Sequence, residues 1–169
     1  MDRSLAEEAR RLLDASLFPC SEEEISNMEV LDFGLGRPRQ EGAQILTLAS
    51  TDRLALKLIV LLPCQTEPEH RHLPNGDIPA KQEILRVVSG QMDVYTEGPG
   101  DPENAALSDG LPEYYTCERR TRLSPGEQIL LEPPFPHWFR AGEAGCVALC
   151  VSTAAFDARD KFTNPNVKR

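Results

Sequence analysis

The chain is poor in histidine, with three in 169 residues, and it has no C-x-x-C pair and no apolar run longer than a strand. The five cysteines, Cys20, Cys64, Cys117, Cys146 and Cys150, are an odd set without metal-knuckle spacing. That argues against a disulfide framework and a zinc knuckle, and fits a reduced, cytoplasmic setting. The longest apolar stretch, Leu58 to Leu62 with its neighbours, is too short to cross a bilayer. The N-terminal "MDRSLAEEARRLLDASLFPC" carries acids and no secretory core, so no signal peptide is expected. Basic residues are outnumbered, 18 against 27 acids, and the net charge of −9 repels phosphate backbones and anionic lipid. Nucleic acid and membrane partners are therefore not expected. Solenoid repeats and low-complexity tracts are missing too.

What is present is ordinary globular composition, 40% hydrophobic and 27% charged, at a length that suits one domain over residues 1–169. "SLAEEARRLLDASLF" pairs Ser4 with Glu7 as a capping box ahead of helically spaced Leu5, Ala9, Leu12 and Leu13. "SEEEISNMEVL" repeats the signal with Ser21 and Glu24. Residues 1–30 are thus expected as a helical extension packed on the rest. From Gln44 the texture changes, and "QILTLASTDRLALKLIVLL" reads as two strands around a tight turn. Further short strands are expected at "EILRVVSG", "QMDVYTEG", "TCERRTRL", "EQILLEP", "HWFRAG" and "CVALCVS". Many short strands imply a mainly β sandwich or barrel. "GPGDPENAALSDGLPE" is expected as a long rim loop, and "FDARDKFTNPNVKR" as a polar tail on the outside.

Two of the three histidines stand in "PEHRH". Alternate side chains of a strand share a face, so His70 and His72 point one way and can bind one ion together. Glu83 opens an apolar strand, where a buried carboxylate needs a partner, and a cation is one. His137 follows the proline-stiffened "EPPFP" at the start of another strand, where a rigid backbone can set its imidazole against the other two.

His70-x-His72, Glu83 with Gly90, and Pro125-Gly126 with Pro134-x-x-His137 together resemble the two signatures of the cupin superfamily, whose members are double-stranded β-helix jelly rolls. The insert "LPNGDIPAKQ" between His72 and Glu83 is longer than the usual spacing and is expected to bulge outward. Three imidazoles and a carboxylate leave two positions open on an octahedral ion, which suits Mn²⁺, Fe²⁺, Co²⁺ or Ni²⁺.

Within the superfamily, "KLIVLLPCQTEPEHRH", "LSPGEQILLEPPFPHWFRAGE" and "RDKFTNPNVKR" resemble the cupin-type D-lyxose isomerases, manganese-dependent enzymes, over roughly residues 45 to 169. The resemblance implies that His70, His72, Glu83 and His137 hold Mn²⁺ and that Lys57, thirteen positions before His70, lies in the pocket. It implies a sugar substrate, interconverted between aldose and ketose through an enediolate. In the family pattern a glutamate precedes a serine by two residues on the last strand, and this chain has Cys150 there. Lys57, Glu83, Cys150 and Asp160 are accordingly the catalytic candidates. Either Cys150 has taken the proton-shuttling role, or an acid such as Glu69, Asp157 or Asp160 substitutes, or the activity is altered or lost. Trp138 and Phe139 are candidates for a sugar-stacking wall or for core, and Arg159 with Asp160 for a surface or dimer contact. Two alternatives stand beside the isomerase: an Fe²⁺ dioxygenase and a non-catalytic sugar-binding cupin. A homodimer is expected, because open sheet edges invite pairing.

Overall fold

β2 (Ala43–Ser50) and β3 (Leu54–Leu61) form the expected antiparallel hairpin, with Ile45 opposite Ile59 and Thr47 opposite Lys57. The computed structural model to which they belong describes residues 3–100, 112–153 and 157–169. Most of the expected rim loop, residues 101–111, lies outside the described residues. β3 is apolar at nearly every position because both of its faces are covered. Ile59 and Leu61 face the barrel interior, whereas Leu58, Val60 and Leu62 face α1 (Arg3–Ser16). From that helix Leu5, Ala9 and Leu13, spaced along one stripe, pack onto the outer side of the sheet. Each buried leucine there contributes about 2 kcal/mol. The expected cap at Ser4 is corrected, since Ser4 already lies inside α1. The second box holds: the Ser21 hydroxyl accepts from the Glu24 N–H, and Glu24 accepts from the Ser21 N–H, at the start of α2 (Glu22–Ser26).

Two expected strand pairs are single strands. "EILRVVSG" and "QMDVYTEG" fuse into β5 (Glu83–Thr96), and "HWFRAG" and "CVALCVS" into β8 (His137–Thr153). Gly90 and Gly145 do not end these strands; at φ +77° each, they bend them where they cross. β8 pairs through its second half with β3, through its first half with β4 (Thr66–Arg71), and along both halves with β5. β6 (Arg119–Leu123) and β7 (Gln128–Leu131) complete the β5 side. β1 (Glu29–Leu31) edges β2, and β9 (Lys161–Phe162) edges β4. The sheet is thereby curled into the cupin jelly roll, mainly β, and among the described residues helices occur near the N-terminus and in short turns. Its interior is filled by Leu85, Val87, Met92, Val94, Ala148 and their neighbours.

Candidate metal centre and active site

His70 and His137 are register partners on adjacent strands, β4 and β8; His72 lies just past the end of β4, and Glu83 is the first residue of β5. All four side chains are buried, each at most 5% exposed, and one donor atom from each falls within 4.8 Å of the rest. The other ring nitrogens are tied outward: His70 Nδ1 donates to the Pro68 carbonyl (2.9 Å), His137 Nδ1 to the Phe135 carbonyl (3.2 Å) and His72 Nδ1 to Asp160 (2.7 Å). Those bonds place the ring protons on Nδ1 and leave the Nε2 lone pairs facing inward, as metal-binding histidines are held when an outer acceptor fixes the ring. His72 Nε2 then meets Glu83 Oε2 at 3.1 Å, and His137 Nε2 has no hydrogen-bond partner. Acceptor faces acceptor around one point, an arrangement that a divalent cation satisfies. The donor set fits such an ion.

Protonation agrees. Burial drives the pKa of His70 down to about 4 and that of His137 well below the usual imidazole range, so both rings are neutral. Burial works against the Glu83 carboxylate, but the Lys81 charge and the hydrogen bond from the Cys150 thiol prevail and hold its pKa well below normal.

Around this group the barrel mouth forms a pocket lined by Lys57, Glu67, Lys81, Cys150, Asp157, Asp160, Phe139, Phe162 and Arg169 along with His70 and Glu83. Lys57 enters it as expected, paired with Asp157 rather than snorkelling to the surface. Cys150 faces Lys57 across the β3–β8 pair and donates its thiol hydrogen to Glu83 Oε1 (2.7 Å). Burial first, then the Glu83 charge, pushes that thiol well above its ordinary pKa, so it keeps its proton. Asp160 lies in the site as the partner of His72, with Lys81 at 3.5 Å; the expected surface or dimer contact is corrected for Asp160, whereas Arg159 is exposed.

Other expectations are corrected too. Glu69 is engaged away from the pocket, accepting from the Thr116 and Cys117 N–H groups (2.6 and 2.8 Å) and from the Thr163 hydroxyl (2.7 Å). Trp138, by contrast, takes the core alternative as expected: it stacks on Tyr95 at 3.7 Å and donates to the Cys117 carbonyl. Of the two, Phe139, two residues on from His137, reaches the pocket. The tail does not merely wrap the outside, because β9 brings Phe162 to 5.3 Å from the His70 ring and Arg169 to 3.3 Å from Asp157.

Lys81 and Glu67 were not legible beforehand. Lys81 ends the insert that was expected to bulge outward; Leu73 and Ile78 are indeed exposed, but Lys81 turns back to within 4.0 Å of Glu83.

The family model described as D-lyxose isomerase matches residues 23–169. The chain belongs to the D-lyxose isomerase family. Among relatives in that family, the D-lyxose/D-mannose isomerase of Thermosediminibacter oceani is 39% identical over 168 residues, spanning 99% of this chain and 93% of that one. The D-lyxose ketol-isomerase of Cohnella laeviribosi is 40% identical over 147 residues, 86% of this chain and 81% of its own length. In fold, this D-lyxose isomerase family member is similar to the L-ribose isomerase of Acinetobacter sp. DL28 solved with L-ribose, at a TM-score of 0.81 and 18% identity, over 97% of this chain and 91% of that one.

Proposed function

We propose that the protein is a metal-dependent aldose–ketose isomerase acting on D-lyxose and D-mannose, with Mn²⁺ as its ion. The observation that carries the reading is the cage in which three outward-tethered histidines and Glu83 aim their free donor atoms at one point, inside the pocket that holds Lys57. Family membership and relatives named as D-lyxose isomerases support it and favour it over the dioxygenase alternative. His70, His72, Glu83 and His137 would hold the ion. When bound, it supplies electrophilic stabilisation of negative charge on the substrate's oxygens.

The chain's own residues do the rest. Lys57 and Lys81, both anchored to Asp157, present ammonium groups that orient sugar hydroxyls and neutralise developing charge. Asp160 keeps the tautomer of His72 fixed, and the Cys150 thiol holds Glu83 in place. Phe139 and Phe162 give the pocket apolar walls that exclude water.

Protein stripped with a chelator and reloaded with Mn²⁺ should convert D-lyxose to D-xylulose and D-mannose to D-fructose, and His137→Ala should lose both the ion and the conversion. Fully loaded protein that forms no ketose from either sugar would sink the reading. Cys150, a thiol where the resemblance drawn from the sequence implies a carboxylate, favours one rival, a sugar-binding protein without turnover. Isothermal titration showing sugar binding by an inactive holoprotein would establish it.

A further inference from the structure

Moving a proton between adjacent carbons needs a group that can both take and return it, close to the sugar. Most acids of the pocket are already committed. Asp157 is paired with Lys57, Lys81 and Arg169; Asp160 with His72 and Lys81; Glu83 faces the cage and accepts from Cys150.

Glu67 differs. It is 8% exposed, lines the same pocket, and its Oε2 is buried with no hydrogen-bond partner. Of the residues lining that pocket, it is the one with an orphaned buried polar atom. The orientation comes from a bulge in β4: Glu67 is opposite Phe139 and His70 opposite His137, so Pro68 and Glu69 together face Trp138. The extra residue turns Glu67 to the same face as His70 and sends Glu69 to the other. Leaving a carboxyl buried without a partner costs on the order of 1–3 kcal/mol. Such a group in a native structure calls for an explanation, and a catalytic role is one.

We propose that Glu67 is the catalytic residue that carries the proton between C2 and C1 of the sugar, an inference that rests on the isomerase reading above. Its carboxylate takes the proton from C2, the C–H electrons form the C1–C2 double bond, and the carbonyl π electrons pass to O1, which takes a proton from a pocket ammonium, Lys57 or Lys81, to give the enediol. The O2 hydroxyl then gives its proton back to that amine as the C2 carbonyl forms, and Glu67 returns the C2 proton to C1. Nothing else is consumed. Burial, reinforced by the Glu83 charge, raises the Glu67 pKa to about 8, near the range in which a general acid–base is most effective.

The test compares the natural chain with Glu67→Gln and Glu67→Asp, all loaded with Mn²⁺. Metal stoichiometry and binding of D-arabitol, which is D-lyxose reduced at C1, should be the same in all three. Glu67→Gln should lose about 10²–10⁴-fold in kcat, together with deuterium incorporation into aldose recovered from D₂O, and Glu67→Asp should restore part of both. Turnover in Glu67→Gln within about threefold of the natural chain overturns the role while leaving the isomerase reading intact. Loss of ion or polyol binding along with turnover overturns it in favour of a structural part. A natural chain inactive on all aldoses takes the isomerase reading down first.

Discussion

A buried carboxyl that holds its proton couples stability to pH. Between about 4.5 and about 8 the unfolded chain has released the Glu67 proton and the folded protein retains it. The folded state binds more protons in that window, so this residue's contribution to stability falls as pH rises through it. Metal-free natural protein should therefore lose stability more steeply from pH 5 to 9 than Glu67→Gln, by on the order of a few kcal/mol; parallel pH curves from urea titrations would show the carboxyl to be ordinary. At this scale the four donors were legible, because H-x-H on a strand and a glutamate opening an apolar one are patterns that alternation and burial explain. Glu67 was not. Strict alternation pairs it with Glu69 and sets both against His70, and only a bulge, for which Pro68 is the one local sign in "TEPEHRH", separates the two glutamates. Lys81 was hidden for a related reason, since the return path of an insert depends on partners such as Asp157 and Asp160 that lie far along the chain.

β5 and β8 are the elements that set the site, one delivering Glu83 and the other His137 and Cys150. Their bends cross at Gly90, where an added Cβ would sit 2.1 Å from the Gly145 carbonyl oxygen while also adopting φ +77°. Gly90→Ala should cost roughly 3 kcal/mol or more, by strain and by forced separation of the strands. A denaturation midpoint implying less than about 1 kcal/mol would mean that the crossing is slack. The β2–β3 hairpin and the short α2 were readable from turn and capping residues. The continuity of β5 and β8 was not, because a glycine that bends a strand and one that ends it look alike until the partner strand is known.

Across the whole molecule, the cage gathers donors from β4, β5 and β8, and the tail closes beside it through Phe162 and Arg169. The jelly roll and its family were legible because the signatures fix chemistry at fixed distances along the sheet. The role of the tail was not, since "DARDKF" reads as polar surface until β9 pairs with β4. α1 lies ahead of the residues that the family model matches, yet Leu46, Leu58, Val60 and Leu62 are each at most 2% exposed and cluster with it. A chain begun at residue 23 would therefore present a contiguous oily patch to its neighbours. Light scattering should find it self-associating at concentrations where the full-length protein stays dispersed, so the helix acts as a colloidal shield whose loss would be felt in solubility before it is felt in chemistry.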